Sequence, residues 1–473
     1  MISDGVPLER GFRLEADPLG EVRIPTDAYY GAQTARAMEN FRVTGRTIAC
    51  LPELLAMLAA VKKSAALANV ETGELEPALG RAIAAACDEV MAGGLTDQFA
   101  IDPLQGGAGT STNMNMNEVL AARAAEILSA AGEGSASVHP NDHVNRSQST
   151  NDAYASAARL AVDCLLAGLD RSLDGLAARL DELAGRFAQV HKLGRTQLQD
   201  AVPMTVGAEF GAFANTLRDS RREIAQLRPL LREVNLGGTA IGTGVGATDA
   251  YRAAVLRHLA QVTGIAVAAA PDPVAATSDT GVFVACGGLA KRVAIRLGKL
   301  ANDLRLLSSG PRGGLGELEL PARQPGSSIM PGKVNPVIPE LVNQVCYRVF
   351  GCELTVSLAA DAAQLQLNAM LPVIYLSLSD AIGELRAACT AIDERCLADL
   401  AVNEARCRAT LDASTALAVT LLPRLGYARA AGLAKAALAE SMPFVEYLRA
   451  HHPETVALVA TGAAGIKNKE TMR

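Results

Sequence analysis

The chain has 473 residues, which is enough for two or three domains around a large core. Hydrophobic residues make up 49%, aromatic residues only 4%, and tryptophan is absent, so the core must consist mainly of aliphatic side chains that suit closely packed helices. Charged residues make up 20%, and the formal net charge is -6. This charge lacks the basic excess of nucleic-acid-binding proteins, so we expect no nucleic-acid partner.

Cysteine usage favours a reducing compartment. The nine cysteines are an odd number, and no two are spaced as Cys-x-x-Cys. Buried, reduced thiols are therefore expected rather than disulfides or a zinc site, and no other metal or cofactor is expected. Residues 1–5 lack the start of a signal peptide, and no apolar run reaches the roughly 18 residues of a membrane span. We expect a cytoplasmic protein without a membrane partner.

The first polar cluster precedes a predicted helix. Residues 1–50 are irregular and rich in turn formers, and helical patterns begin near Leu51. A glycine cluster and a run of amides and hydroxyls then occupy residues 105–118, before a helix predicted from about Val119 to Ala130. These polar groups are suited to capping that helix, or equally to binding an anion at its N-terminus.

A second polar cluster, at residues 139–152, precedes the longest periodic segment of the chain. Leucines repeat there in steps of three and four, which predicts a helix from about residue 152 to 190. Such a helix would be roughly 58 Å long at 1.5 Å per residue, so an elongated bundle is expected.

Further apolar stripes predict four more long helices. A polar, turn-like segment at residues 194–205 separates the first long helix from a stripe over 210–231, which Pro229 should kink or interrupt. A third stripe covers residues 289–307. The remaining two helices are predicted near 339–356 and 372–392.

Five long helices with short polar junctions predict an all-α fold with a long central five-helix bundle. We divide the chain into three domains: a mostly helical N-terminal domain at 1–145, the central bundle at 146–401, and a small C-terminal helical domain at 402–473. Apolar stripes of this length are more often core or subunit interface than catalytic. We interpret them in that way here.

A short loop joins two of the predicted helices and carries candidate catalytic groups. Residues 326–336 read Gly-Ser-Ser-Ile-Met-Pro-Gly-Lys-Val-Asn-Pro, and their glycines and prolines predict a mobile loop outside regular structure. Their spacing does not fit a phosphate-binding loop, because Val334 follows Lys333 where Ser or Thr should stand. Taken alone, Ser327 and Ser328 are more typical of a turn or helix cap than of a catalytic site, and Lys333 of an ordinary solvated cation.

The order of the whole loop resembles the signature of the aspartase/fumarase superfamily, lyases that make or consume fumarate. Three further segments, at 142–152, 194–205 and 303–311, are more similar to its aspartate ammonia-lyase branch than to its fumarate hydratase branch. The resemblance extends from Tyr29 to about Pro372 and becomes weak after residue 430. One departure is Ala155-Ser156, where the superfamily usually has Pro-Thr.

Gln197 is the position that separates the branches, because fumarases typically carry histidine there. A hydratase must protonate a hydroxide leaving group or activate water, so a titratable group is useful. An amino group can leave already protonated, so an amide that only hydrogen-bonds is sufficient. Some aspartases also keep histidine, so two alternatives stay open: a fumarate hydratase, or another lyase acting on a substituted succinate. A silent structural relative is a third, which the retention of Ser327, Lys333 and Asn335 disfavours.

The resemblance implies reversible anti-elimination of ammonia from L-aspartate to give fumarate, with Ser327 as the general base. The β-carboxylate, where negative charge develops, is expected to bind four hydroxyl groups, those of Thr110, Ser149, Thr150 and Ser328. The α-carboxylate is expected to bind Thr196, Lys333 and Asn335. The departing amino group is expected to contact Asn151 and Gln197, with Glu340 supporting the Gln197 position.

The resemblance also implies a homotetramer in which several chains build each active site. Helices of the four chains would pack into one multi-helix core. The expected small-molecule partner is a dicarboxylate substrate, L-aspartate or fumarate. A free serine is too weak an acid to serve as the base at neutral pH. We therefore expect loop closure, backbone amides and the charge of Lys333 to stabilise the Ser327 alkoxide.

Substitution of Gln197 tests its proposed hydrogen-bonding role. Gln197→Ala should reduce kcat/KM for L-aspartate about ten- to a hundredfold, because a lost hydrogen bond in the site costs roughly 1–3 kcal/mol. Gln197→His should keep measurable ammonia release, with an added pH dependence near the imidazole pKa of about 6.5. Unchanged kinetics in both variants would remove Gln197 from the site.

Overall fold

The structure is a computed structural model that describes residues 11–132 and 137–464. It is predominantly helical, as predicted, and apolar side chains fill its interior. Short 3-10 or π-helical turns occur at Ile48–Cys50, Thr96–Gln98, Pro140–Val144, Asp393–Leu397 and Thr415–Leu421. The α-helices are α1 Ala32–Asn40, α2 Pro52–Glu71, α3 Pro77–Met91, α4 Thr110–Ala130, α5 Thr150–Arg186, α6 Val206–Leu231, α7 Asp249–Thr263, α8 Pro273–Ser278, α9 Gly281–Leu307, α10 Val337–Asp361, α11 Leu371–Ile392, α12 Glu404–Ala413, α13 Leu422–Ala439, α14 Phe444–His451 and α15 Pro453–Ala464.

The strands in this part of the chain form four small two-stranded sheets. Two are antiparallel hairpins, β1 with β2 and β3 with β4, in segments for which the sequence analysis predicted only irregular or turn-like structure. The other two join short segments, β5 with β6 and β7 with β8. The strands are β1 Phe12–Asp17, β2 Gly20–Pro25, β3 His191–Thr196, β4 Gln199–Thr205, β5 Glu233–Val234, β6 Ala268–Ala269, β7 Leu318–Glu319 and β8 Ala401–Val402.

The five predicted long helices are present as α5, α6, α9, α10 and α11. The 37 residues of α5 correspond to about 55 Å at the standard rise per residue. Pro229 does not break α6, because it lies near the C-terminal end, where the helix stops at Leu231. The start of α4 was predicted nine residues too late. The polar run after Gly109 is helical, and Asn113 and Asn115 are buried within the first turns.

The chain divides into two compact units, each built from separate stretches of sequence. The first unit comprises the described parts of Met1–Leu169, Glu223–Lys291 and Arg348–Gly383. The second comprises Asp170–Arg222, Arg292–Tyr347 and the described part of Glu384–Arg473. The division at 1–145, 146–401 and 402–473 stays a prediction. Residues 1–10, 133–136 and 465–473, which belong to those predicted domains, lie outside the described residues.

In the first unit, helices α2, α3, α4 and α7 pack on one another, and α5 and α6 are joined by ion pairs. The carboxylate of Asp163, 1% exposed, accepts hydrogen bonds from Arg228 at 2.7 Å and from Arg232 at 3.3 Å. Two guanidinium groups thus pair with one buried carboxylate, and this pairing offsets the free-energy cost of burying its charge.

In the second unit, polar side chains also join neighbouring long helices, α5 with α6 and α9 with α10. Arg221 of α6 donates to Asp170 of α5 at 2.8 Å, and Asn343 of α10 donates to Asn302 of α9 at 2.9 Å. The C-terminal helices enclose a small apolar core of their own, which includes Leu193 of β3. The hairpin β3–β4 is therefore packed against the C-terminal part of the chain.

A buried polar cluster lies in the first unit beneath the start of α5. Lys62 of α2 is completely buried, and its Nζ donates to Asn145 Oδ1 at 2.9 Å and to Gln148 Oε1 at 3.0 Å. Asn145 Oδ1 also accepts from Asn113 and Asn117 of α4, each at 3.2 Å. One side-chain oxygen thus ties α2 and α4 to the segment that leads into α5.

Asp152 in the first turn of α5 extends this cluster. It is fully buried and accepts backbone hydrogen bonds from Ser149 at 2.9 Å and from Gly237 and Thr239 at 3.0 Å each. Burial raises the pKa of Asp152, while these hydrogen bonds and the charge of Lys62 oppose the shift. The start of α5 is therefore fixed to the segment around residues 237–239.

Within residues 11–132 and 137–464, none of the helices combines the length and apolarity that crossing a bilayer requires.

The charge of Lys62 should make stability depend on pH. Burial lowers the pKa of Lys62 from 10.5 to about 7, although Asp152 and Cys87 oppose the shift. Above pH 7 the unfolded chain therefore binds one more proton than the folded chain, and the free energy of unfolding rises by about 1.4 kcal/mol per pH unit until the unfolded amine titrates. Between pH 7 and 9 the Tm of the wild type should increase relative to that of Lys62→Met, as measured by scanning calorimetry.

Lys63→Met is the matched control for this experiment. Lys63 is the adjacent lysine and pairs with Asp88 near the surface, at 2.6 Å. Its removal should leave the pH dependence of the Tm as it is in the wild type. A constant Tm difference between the wild type and Lys62→Met across this pH range would contradict the titration of Lys62.

Candidate active site

The loop at residues 326–335 is closed by its own hydrogen bonds. The N–H of Gly326 donates to the carbonyl oxygen of Lys333 at 2.9 Å, and Asn335 Nδ2 donates to the carbonyl oxygen of Gly326 at 2.9 Å. A Cβ atom at position 326 would lie only 2.2 Å from the Lys333 oxygen, so this closure requires glycine. The loop can therefore hold a defined shape although it lies outside regular secondary structure.

Ser327 lies in this loop with its hydroxyl oxygen directed at two backbone amides. Its Oγ accepts from the N–H of Ile329 at 3.2 Å and from that of Met330 at 3.0 Å. Two N–H groups aimed at one oxygen favour its anionic form over its neutral form. The sequence analysis expected backbone amides to stabilise a serine base, but the same two contacts also occur in an ordinary serine turn, so the catalytic role of Ser327 stays a prediction. Ser328 is exposed on the same loop.

Lys333 and Asn335 line a cavity of about 520 Å³ in the second unit. Arg305 and Glu340 also line it. Arg305 is held by a hydrogen bond of 2.9 Å to Asn343 of α10. Two cationic side chains and an amide suit a small carboxylate ligand, although the carboxylate of Glu340 lines the same cavity. Arg305 was not among the predicted site residues, although it lies within the segment at 303–311 that carries the resemblance.

Thr196 and Gln197 lie at the tip of the β3–β4 hairpin, and both are exposed. Gln197 and Leu198 form a two-residue turn with φ angles of +55° and +62°. Positive φ at both central positions is typical of the tight turns of hairpins, but Asn and Gly usually occupy them. Strained residues of this kind cluster at functional sites, so the tip is a candidate binding element.

Four other predicted residues lie at helix N-termini in the first unit. Thr110 is exposed and begins α4, and Thr150 begins α5. Gly109, just before α4, packs against the ring of Tyr154, where a Cβ atom would lie 2.7 Å from the ring. The N–H groups of Thr110 and Thr112 already donate, to the carbonyl oxygen of Gly107 at 2.9 Å and to Gln105 Oε1 at 3.1 Å. The helix dipole and the side-chain hydroxyls are therefore what such a terminus offers an anion. Ser149 lies immediately before Thr150.

Asn151 and Ser149 make hydrogen bonds within the chain. Asn151 Nδ2 donates to the carbonyl oxygen of Ala240 at 2.8 Å, and its N–H donates to Ser149 Oγ at 3.3 Å. Because the amide nitrogen is used in this way, the acceptor oxygen of Asn151 is the atom suited to a ligand ammonium group. Thr150 and Asn151 both line a small cavity with Arg159.

The predicted site residues thus fall into two groups, one in each unit. Thr110, Ser149, Thr150 and Asn151 belong to the first unit. The second unit contains two elements: the hairpin tip with Thr196 and Gln197, and the loop with Ser327, Ser328, Lys333 and Asn335.

Lys62 is a polar residue of functional interest that sequence reasoning missed. It supports the polar segment from Asn145 to Gln148, which precedes Ser149. No sequence signal marked it, because it stands beside a second lysine in an ordinary helical pattern. Only packing shows that Lys62 is buried while Lys63 reaches the surface.

A match to a known protein family covers the segments that contain the predicted site residues. The sequence matches the lyase family over residues 20–351, which include both polar clusters, the hairpin and the Ser327 loop. The chain belongs to the lyase family.

Individual members of the family are similar to this chain over most of its length. An aspartate ammonia-lyase of Pseudomonas canavaninivorans is 49% identical over 443 residues, which cover 93% of each chain. A solved structure of a fumarate lyase:delta crystallin of Brucella melitensis bound to cobalt is 48% identical, covers 96% of this chain and 99% of its own, and has a TM-score of 0.92. A class II fumarase of Schistosoma mansoni is 34% identical, with coverage of 95% and 98% and a TM-score of 0.89.

Removal of the Ser327 hydroxyl tests its role as the base. Ser327→Ala should abolish turnover while leaving the Tm nearly unchanged, because the side chain lies in a loop and its hydrogen bonds involve only that loop. Steady-state kinetics and thermal unfolding measure the two effects. The matched control is Ser357→Ala on α10, whose hydroxyl donates to Glu353 at 3.1 Å. Activity of Ser327→Ala within tenfold of the wild type would exclude it as the base.

Proposed function

We propose that this lyase catalyses the reversible elimination of ammonia from L-aspartate to give fumarate. The observation that carries the proposal is the hydroxyl oxygen of Ser327, which accepts two backbone N–H groups inside a loop closed on itself. The identity of 49% to a relative named aspartate ammonia-lyase, over 93% of the chain, supports this substrate over the hydratase alternative.

In the proposed reaction, Ser327 acts as an alkoxide and removes a proton from Cβ of L-aspartate. Electrons from the broken C–H bond move into the β-carboxylate, which becomes an enediolate with an added negative charge. The two amides on Ser327 Oγ stabilise the alkoxide before the reaction begins. The enediolate then collapses, and the bond between Cα and nitrogen breaks with its electron pair going to nitrogen, so the –NH3+ group leaves as neutral ammonia. Ser327, which now carries the Cβ proton as a hydroxyl, returns that proton to solvent.

The β-carboxylate is the group whose charge increases, so donors aimed at it stabilise the transition state more than the ground state. Thr110, Ser149, Thr150 and Ser328 are the proposed donors. Two of them begin helices, where the dipole adds a positive potential. The buried cluster around Lys62 and Asp152 supports the segment that carries Ser149 and Thr150.

The α-carboxylate and the amino group complete the proposed binding site. Thr196, Lys333 and Asn335 bind the α-carboxylate, and Lys333 and Asn335 already share one cavity. Asn151 and Gln197 contact the amino group, with Glu340 in support of Gln197. Because the amino group is bound as –NH3+ and leaves as neutral ammonia, it needs no proton donor, and neither amide needs to titrate.

We further propose that the enzyme is a homotetramer and that residues of several chains meet in each active site. An exposed apolar stripe on α10 supports this proposal. Tyr347, Leu354 and Leu358 fall on one face of the helix and are 63%, 58% and 64% exposed. Apolar surface of this kind marks contacts with other chains. A cytoplasmic location is proposed from the cysteine usage.

Assays of the purified wild type with two substrates test the proposed function. Fumarate formation from L-aspartate, followed by ultraviolet absorbance and by ammonia release, should exceed fumarate formation from L-malate by at least a hundredfold. The proposed ammonium contacts fit a substrate that carries an amino group. Faster malate dehydration would overturn the ammonia-lyase function and favour the hydratase. Absence of turnover with both substrates would indicate a silent relative or a different substituted succinate.

A further inference from the structure

A cluster of four charged side chains lies at the base of the hairpin that carries Thr196 and Gln197. Lys192 and Arg195 come from β3, Glu209 from the start of α6, and Glu317 immediately precedes β7. Lys192 and Glu317 are nearly inaccessible, with side chains 2% and 1% exposed, and Arg195 is 15% exposed. Burial of this many charges costs free energy unless each charge is paired.

The pairing within the cluster is unequal. Glu317 contacts both cations: Oε1 accepts from Arg195 at 2.6 Å, and Oε2 lies 3.0 Å from Lys192 Nζ. Glu209, by contrast, accepts from Lys192 at 2.7 Å. Two positive and two negative groups make the cluster neutral. Glu317 is thus the carboxylate that connects the rest of the cluster to Arg195.

Arg195 stands at the base of the hairpin tip. It is paired in register with Asp200, and the four residues between and including Thr196 and Gln199 form the exposed turn. Arg195 and Asp200 each make a contact outside the hairpin. Arg195 binds Glu317, and Asp200 accepts from Ser414 Oγ at 2.6 Å. One contact on each strand therefore fixes the direction in which the tip projects.

Glu317 is itself held firmly by the backbone around it. Its N–H donates to the carbonyl oxygen of Leu307 at 2.9 Å, and its own carbonyl oxygen accepts from the N–H of Asn403 at 2.9 Å. The end of α9 and the strand pairing of β7 with β8 thus fix the main chain on both sides of this residue. A buried carboxylate on such a support can orient the arginine that it binds.

We propose that Glu317 is a positioning residue for substrate binding, which acts through Arg195 to orient Thr196 and Gln197. The inference rests on the proposed function, in which these two residues contact the α-carboxylate and the amino group. Glu317 does not touch the substrate. Its effect is on the geometry of contacts that are present in the bound substrate and in the transition state alike.

Loss of such contacts should appear mainly in KM. An interaction made equally in the ground state and the transition state lowers KM without raising kcat. In Glu317→Gln, the side chain keeps its shape but Arg195 loses its anionic partner. We expect KM for L-aspartate to rise about tenfold while kcat changes less than about threefold, since the Ser327 loop is unaltered.

Glu209→Gln is the matched control, because it removes one carboxylate from the same cluster. It changes the net charge by the same amount and leaves Lys192 with one carboxylate, but it retains the contact between Arg195 and Glu317. Its Tm should fall, as that of Glu317→Gln should, while its KM stays within about twofold of the wild type. All assays are run with the purified full-length chains, well below each measured Tm.

The inhibition constant of fumarate is a second measurement. It distinguishes a specific effect on Gln197 from a general loss of structure around the hairpin. Fumarate has both carboxylates but no amino group, so it depends on Thr196 and not on the contact of Gln197 with nitrogen. In Glu317→Gln the inhibition constant of fumarate should therefore rise less than KM for L-aspartate. Equal increases of the two constants would contradict the orientation of Gln197 by this residue.

A second variant covers the case in which Glu317→Gln does not fold. Arg195→Gln leaves Glu317 paired with Lys192 and should give the same rise in KM with little change in kcat. The proposal is overturned if the folded variant, whichever it is, keeps a wild-type KM, or if Glu209→Gln shows an equal increase. If the wild type converts L-malate instead of L-aspartate, the proposed function fails, and the same variants assayed on malate still decide whether Glu317 positions the tip.

Discussion

The side-chain oxygen of Asn145 accepts three donors, and the geometry of the first unit depends on that convergence. Lys62, Asn113 and Asn117 bring α2 and α4 to one point beneath the start of α5. Each of these groups would be costly to bury without a partner, so the segment between α4 and α5 has little freedom to shift. The helix N-termini that carry the predicted binding residues are thereby held on a rigid support.

The second unit meets the same constraint with charges instead of amides. Lys192, Arg195, Glu209 and Glu317 neutralise one another at the base of the hairpin. The loop around Ser327 is stabilised differently, by hydrogen bonds from its own backbone and from Asn335. Two kinds of support therefore match the two proposed roles: a fixed platform for binding groups, and a self-contained loop for a base that must approach its substrate.

The similarity to a fumarase structure at 34% identity shows how one framework can serve more than one elimination. Proton removal beside a carboxylate is common to both reactions, and the Ser327 loop supplies it in the proposed mechanism. The leaving group differs, and in the proposed mechanism the position that contacts it is the exposed tip residue Gln197. On that proposal, a change at the tip alters the leaving group without disturbing the buried clusters, because the tip itself is exposed to solvent.

The sequence alone determined the long helices and the position of the irregular loop around Ser327. Leucine spacing predicts a helix locally, and glycine and proline interrupt it locally, so α5 and the loop around Ser327 were both visible. The hairpin β3–β4 and the early start of α4 depended on tertiary contacts, since packing outweighs weak local preferences. Likewise, only the folded chain distinguishes buried Lys62 from its neighbour and brings Glu317 to Arg195 across 122 positions of sequence. Pairing of distant charges is decided by burial in three dimensions, which no local pattern records.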